Sequence, residues 1–291
     1  AHPMIQPTRR DDVLLADIAA HGGPGDNTRL HIWWLGQSGF LVKHDGHVFL
    51  FDPYLSDSLT EKYAGTANPH IRMTARCVDP ALLPRPRVIT ASHIHTDHLD
   101  PGTLRPLAES HPGVRLALPA AILEEARARL AGAPIQFHPL HHGIHMRGRG
   151  WQLIPVPAAH EDLKTDAQGR HHYLGYILRA GPFTLYHSGD TLWHDGLLPA
   201  LCTLGAYRCH VMLLPINGRK PERGVAGNLN GTEAAALARA CSAHIVIPCH
   251  YEMFTFNTEP PDEFAAACGR LGQAHALPTC GGRVSMTAEP A

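Results

Sequence analysis

The chain has no C-x-x-C pair, no apolar run of about 18 residues and no excess of either charge. Its seven cysteines, Cys77, Cys202, Cys209, Cys241, Cys249, Cys268 and Cys280, form an odd set without paired spacing. That excludes a zinc ribbon and supplies no disulfide framework, so reduced, mostly buried thiols in a cytoplasmic protein are expected. Without a long apolar run no membrane span is expected. The start, Ala1-His2-Pro3-Met4, lacks the basic stretch and apolar run of an export signal, and Met4 reads as a natural start. Lys plus Arg total 25 against 26 Asp plus Glu, a net charge of −1. No overall basic field exists to hold a polyanion, so nucleic acid is not an expected partner.

What is present is a core and many turns. Hydrophobic residues make up 44% of the 291, enough for one large domain, while 27 Gly and 25 Pro are spread along the chain. A helix is predicted over residues 11–20. The run from His31 to Tyr54 reads as three short strands, Ile32 to Leu35, Phe40 to Val42 and Val48 to Phe51, with a hairpin turn at Asp45-Gly46. Residues 55–86 show no period and are read as a long loop of the kind that often carries function. Beyond Val88 the texture becomes mixed α/β. Strands are predicted at Val88 to Ala91, Val114 to Leu118, near 135–138, 151–156, 173–178, 183–187 and 210–214, and at Ile245 to Pro248. Helices are predicted at Ala120 to Leu130, near 230–241 with Asn230 or Thr232 as cap, and near 262–271. No repeat and no linker divides the chain: residues 1–29 read as an N-terminal extension, 30–291 as a single domain.

Polar clusters sit just past predicted strands, where α/β folds collect their chemistry. After strand 88–91 comes Ser92-His93-Ile94-His95-Thr96-Asp97-His98. In extended backbone His93 and His95 point the same way. If the chain then turns into a helix, Asp97 and His98 face the same cavity, and one short loop serves two cations. Imidazole with carboxylate suits zinc, manganese or iron rather than calcium, and the lack of thiolate partners argues for an open catalytic site. Other strand ends offer His160, Asp190 and His250. The remaining histidines are numerous, 23 in all, and His141, His142, His145, His171 and His172 are expected to be solvated loop residues.

With these residues the chain resembles the metallo-β-lactamase superfamily, which orders its ligands as H-x-H-x-D-H, then His, Asp and His. The resemblance implies a four-layer αββα sandwich, mixed sheets with helices on the outer faces, and two divalent metal ions. It implies that His93, His95 and His160 hold one ion, that Asp97, His98 and His250 hold the other, and that Asp190 bridges them. Asp52 matches the early Asp that the family places behind the ligands. More narrowly the chain is similar to the L-ascorbate-6-phosphate lactonase-like branch, over about residues 30–280. That similarity rests on Trp34-Leu35-Gly36-Gln37-Ser38-Gly39-Phe40, Pro157-Ala158-Ala159-His160-Glu161, Leu214-Pro215-Ile216-Asn217-Gly218-Arg219 with Gly227-Asn228, and Pro248-Cys249-His250-Tyr251-Glu252-Met253-Phe254. The stretch Lys220 to Gly224 lacks the aromatic residue found there in that branch.

The expected chemistry is hydrolysis. Two cations about 3.5–4 Å apart lower the pKa of a shared water and polarise a carbonyl or phosphoryl oxygen, so a hydroxide nucleophile is available without Ser or Cys. Asp97 and Asp190 are the candidate catalytic carboxylates that orient it. His187 is a candidate for orienting a ligand from behind. Asn217, Arg219 and Tyr251 are candidate substrate contacts, with Arg219 able to fork onto a phosphate or carboxylate and Tyr251 to protonate a leaving alkoxide. Cys249 is read as structural. The expected reaction is cleavage of a lactone or related ester of a small anionic, sugar-phosphate-like substrate, with zinc or manganese ahead of iron. The alternative is a phosphodiesterase acting on a phospholipid or nucleotide. A di-iron oxidoreductase and a non-catalytic metal-dependent sensor are further alternatives, and a homo-oligomer is compatible with the sequence.

Overall fold

In the computed structural model, which describes residues 3–288, thirteen strands form two mixed sheets. Ala1 and His2, which precede the expected start at Met4, lie outside those residues. The first sheet contains β1 (Arg29–Gly36), β2 (Gly39–His44), β3 (His47–Phe51), β4 (Val88–Thr90), β5 (Val114–Pro119), β6 (Ile135–Leu140) and β13 (Arg283–Thr287), in the order β13-β1-β2-β3-β4-β5-β6. The second contains β7 (Met146–Gly148), β8 (Trp151–Pro157), β9 (Leu174–Ala180), β10 (Phe183–His187), β11 (Val211–Pro215) and β12 (Ile245–Cys249), in the order β12-β11-β10-β9-β8-β7.

The opening strands are almost wholly buried, because side chains alternate between two covered faces. Leu30, Ile32, Trp34, Phe40, Val42, Phe49 and Phe51 turn toward the second sheet. Their alternates Trp33, Leu35, Leu41, Val48 and Leu50 turn outward onto helices. That outer layer consists of α1 (Asp11–Ala20), α3 (Pro101–Ser110) and α4 (Leu123–Arg129), which contribute Leu14, Ile18, Leu104, Leu107 and Ala126. Helix α1, within the segment read as an N-terminal extension, therefore packs onto the same core, and Trp33 Nε1 ties it down by donating to Asp17 Oδ2 at 2.8 Å. On the far side α5 (Leu197–Leu204), α6 (Gly231–Ala240) and α7 (Asp262–Leu271) cover the second sheet with Leu201, Leu237 and Phe264. The result is the four-layer sandwich, helices outside and sheets within.

Several elements differ from the sequence reading. The helix predicted over 120–130 starts as a 3-10 turn, Ala120–Ile122, before α4. The loop 55–86 contains α2 (Ser58–Lys62) and a 3-10 turn, Pro80–Leu82. Helices α3 and α5 and strands β7 and β13 were not foreseen. Of the two candidate caps for α6, Asn230 is the one used, and with Glu233 it closes a reciprocal capping box. All seven cysteines are free thiols, and no helix among the described residues is long and apolar enough to cross a membrane.

Candidate metal centre

Strand β4 delivers its side chains to one end of the molecule and stops at Thr90. The chain then bends, and His98 and Leu99 N–H both donate to His95 O, closing a turn ahead of α3. Asp100 caps that helix, accepting from Gly102 N–H at 3.1 Å, with Pro101 in its first turn. The turn, rather than extended backbone, brings the four residues of the motif together. Gly189, at φ +60°, permits the close approach from the second sheet, since a Cβ there would lie 2.4 Å from Ser92 Cβ.

Three groups of donors converge. His93, His95 and His160 form one, Asp97, His98 and His250 another, and His93, His98 and Asp190 a third between them. Within each group the donor atoms lie within 4.8 Å of one another. Asp190 stands 3.2 Å from His98 Nε2, 3.3 Å from His250 Nε2 and 3.6 Å from His160 Nε2. All seven sequence candidates for metal ligation therefore cluster together. Five of them, His95, Asp97, His160, Asp190 and His250, line one cavity of about 350 Å³. His93 and His98 are fully buried, whereas His95 is exposed toward the mouth.

The tautomers are set from behind. His98 Nδ1–H donates to Asp52 Oδ2 at 2.7 Å, and Asp52 is held in turn by Thr90 Oγ1 and Ser92 N–H. His160 Nδ1–H donates to Gly227 O at 2.9 Å, and Ser92 Oγ lies 2.9 Å from His93 Nδ1. Each contact leaves Nε2 for the cavity. His187 Nε2–H donates to Ser38 O, and its Nδ1 accepts from Gly189 N–H, which fixes the turn leading to Asp190. Gln37, Asp52 and His250 each follow a strand at positive φ, a conformation sparsely populated by such residues and concentrated at functional sites.

The donor set fits divalent ions. His93 Nε2, His98 Nε2 and Asp190 Oδ1 are buried without a hydrogen-bond partner among the described residues, although burying such atoms unpaired is costly. Charge points the same way. Burial works to raise the Asp190 pKa, but the His250 and His98 imidazoles hold it well below the carboxylate range. Burial works to lower His98, but Asp190 and Asp97 lift it well above its ordinary value, and His250, likewise opposed by burial, is pushed up to about 9 chiefly by Asp190. The carboxylates draw positive charge onto the His98 and His250 imidazoles, and divalent ions would bring positive charge to the same atoms in place of protons. Replacing Asp52 by Asn is accordingly expected to weaken metal affinity about 10–100-fold with the fold retained. Competition with a chromogenic chelator measures this, and an unchanged affinity would remove the orienting role.

Other candidates lie away from the cavity. Arg219, expected to fork onto a substrate anion, instead forks onto Glu233, at 2.8 and 2.7 Å, and lies outside the cavity lining. The capping carboxylate of α6 already occupies the guanidinium. This bond to Arg219 leads the causes that hold Glu233 below its ordinary 4.5, against the opposing effect of burial. A lowered folded-state pKa means the contribution is complete above about pH 5 and lost as pH falls through the folded value. Arg219→Ala should therefore cost about 0.5–1 kcal/mol at pH 7 and progressively less in acid, which urea melts at a series of pH values would reveal. Tyr251, the candidate proton donor, is buried and stacks on Trp34 at 4.8 Å, a packing position. Asn217 is buried behind the wall, accepting from Asn228 and donating to Asn257, which does line the cavity. Cys249 is buried, and burial pushes its thiol well up. Among the loop histidines His142 is exposed, while His141, His145, His171 and His172 are half-buried.

The sequence reading did not single out Gln37 as a site residue. Its Nε2 donates to Asp97 Oδ2 at 2.8 Å and lies 3.2 Å from His250 Nε2. It also did not single out the cavity wall residues Lys62, Tyr63, His70 and Phe256, and gave Phe254 no role there. The signals available were the long segment 55–86 and the run after His250.

Comparison with known proteins agrees with this geometry. The sequence matches the beta-lactamase superfamily domain over residues 31–250. A UPF0173 metal-dependent hydrolase of Pyrobaculum aerophilum is 27% identical over 248 residues, covering 84% of this chain and 94% of that protein. One from Methylocella silvestris is 29% identical over 269 residues, covering 86% and 97%. Among solved structures, an isothiocyanate hydrolase from Delia radicum gut bacteria superposes with a TM-score of 0.71 at 17% identity, over 89% of this chain and all of that one. Igni18, a metallo hydrolase from Ignicoccus hospitalis, gives 0.66 at 19% identity, over 90% of this chain and all of that one. These structural likenesses speak to the fold. With about three quarters of its length and the full order of candidate ligand residues within the matched region, the chain belongs to the metallo-β-lactamase superfamily.

Proposed function

We propose that this chain is a two-metal hydrolase that cleaves a lactone or related ester of a small anionic substrate. The observation that carries the reading is the convergence of the three His and Asp donor groups beside a single cavity that His95, Asp97, His160, Asp190 and His250 line. Two divalent ions held by His93, His95 and His160 and by Asp97, His98 and His250 would supply water activation at neutral pH and polarise the scissile carbonyl. Asp190 fits a bridging position because its two oxygens face donors of both sets. Gln37 holds Asp97 Oδ2, which fixes that carboxylate at the cavity floor, where it can orient water. The fully buried His93 and His98 close the floor to bulk solvent.

The wall suits a small amphipathic anion. Tyr63 stacks on His70 at 4.1 Å, and His70 in turn meets Phe256 at 4.5 Å and Phe254 at 5.1 Å. Lys62 Nζ lies over the Tyr63 ring at 5.1 Å and makes no ion pair among the described residues, so its charge is available to a substrate carboxylate or phosphate. The sugar-phosphate reading of the lactonase-like branch falls within this class. The test is a substrate panel of lactones, aryl esters and phosphodiesters against the zinc- and manganese-loaded chain. Lactone or ester turnover abolished by chelation and restored by adding metal is expected. Turnover confined to phosphodiesters would replace this reading with the phosphodiesterase one, and metal binding without any turnover would make the protein a sensor.

A further inference from the structure

A second, separate groove lies at the other end of the first sheet. It encloses about 620 Å³ and is lined by Arg85, Arg87, Arg115, Gln136 and the backbone around Gly46 and Gly113. Arg87 immediately precedes β4, and Arg115 and Gln136 are paired neighbours at the beginnings of β5 and β6. The metal centre follows the other end of β4. Six residues from Arg87 to His93, at ~3.3 Å each in extended chain, place the two sites up to roughly 20 Å apart.

Three guanidinium groups share this groove, and no carboxylate pairs with any of them among the described residues. Their hydrogen bonds orient them without neutralising them. Arg87 Nε donates to His47 Nδ1 at 2.9 Å, Arg115 Nε to Arg87 O at 3.0 Å, and Arg85 Nη2 to Pro112 O at 3.1 Å. The terminal nitrogens of Arg87 and Arg115 remain as unused forks. Arg115 is further held over the Trp151 ring at 5.4 Å. Asp45, on the adjoining turn, accepts from Gly25 N–H at 2.6 Å and forms no ion pair with the arginines. The crowding is electrostatically unfavourable: burial first, then the charges of Arg87 and Arg85, depress the basicity of Arg115. A bound anion would relieve it.

We propose that this groove is a second ligand site, independent of hydrolysis, that binds a compact phosphate-bearing anion through the forks of Arg87 and Arg115 with Arg85 at its edge. Guanidinium groups match tetrahedral oxyanions bidentately, and a multivalent phosphate answers three cations where a single carboxylate answers one. The protein's net charge of −1 makes this a local field rather than a general basic surface.

The test is calorimetric titration of the metal-loaded chain with inorganic pyrophosphate, beside Arg87→Ala/Arg115→Ala, with metal content measured before and after. Binding at the metal centre is common to both proteins, so the difference isolates the groove. The double variant is expected to bind the groove-directed pyrophosphate at least ~10-fold more weakly and to keep the parent hydrolytic rate, while in its melting temperature the relief of repulsion offsets the lost contacts to His47, Arg87 O and Trp151. If it melts lower, Arg87→Gln/Arg115→Gln, which keeps most of each side chain while removing its charge and fork, provides the same comparison. Equal affinity in parent and variants overturns the site. Co-sedimentation with vesicles containing phosphatidic acid separates a lipid headgroup from a soluble ligand: arginine-dependent pelleting without pyrophosphate binding overturns the compact-anion assignment.

Discussion

Replacing Asp190 by Ala should lower kcat/KM for the ester substrate by roughly a thousandfold or more, and His95→Ala should do the same. Asp190 is buried, and its carboxylate faces the Nε2 atoms of His98, His160 and His250. Its removal takes the negative charge from between two sets of ligands and leaves mutually repelling imidazoles. Metal content measured by emission spectrometry should fall in step with activity. His95 differs from it in an informative way: it is the exposed member of its group, so His95→Ala leaves little cavity in the core, and the melting temperature of the ion-free protein should barely move. Parent-level turnover by either variant, after purification free of metal, would overturn the two-metal mechanism. Arg219→Ala is the matched control, expected to keep kcat/KM because Glu233 already holds its guanidinium.

Phe49→Ala should destabilise the fold by about 3–5 kcal/mol. Phe49 is fully buried between the sheets and meets Trp151 of the second sheet edge-on at 5.5 Å. Truncation removes the aromatic contact and opens a void where strands from both sheets constrain collapse. Denaturant melts of the ion-free protein measure the loss. Phe49 also precedes Asp52 by three residues, so metal affinity of the folded fraction is a second readout: it should stay near the parent value, since Asp52 is held by Thr90 and Ser92 rather than by Phe49. A cost below about 1 kcal/mol would mean that the sheets close over the gap.

Strands β1 to β3 were legible because Ile, Val, Trp and Phe run between marked turns at Gly36, Gly39 and Asp45-Gly46. Helices α1, α6 and α7 were legible from spacing and, for α6, from its cap. Helix α3 was hidden by Gly102 and Pro106, which depress helix propensity; Asp100-Pro101 at its start was the usable signal. Strand β13 has little apolar content of its own and exists because β1 offers it an edge, with Arg29 opposite Thr287 across most of the chain length. Pairing at that separation leaves no local trace.

The clustered donors were legible for a chemical reason: few arrangements other than a metal site call for four His and Asp side chains within six residues. Their number and order, His93, His95, Asp97, His98, His160, Asp190 and His250, are properties of the sequence itself. What surrounds them is not. Whether Arg219 reaches the cavity or pairs with Glu233, whether Tyr251 faces substrate or Trp34, and which residues of 55–86 form the wall depend on side-chain directions set by turns and by packing between distant segments. The same holds for the arginine groove, whose members come from three separate strand starts and meet only because β4, β5 and β6 run parallel. Donor identity is a local property of the chain, so the sequence alone determined the set of candidate metal donors; proximity between remote residues is a property of packing, and only the tertiary structure decided the cavity wall and the arginine groove.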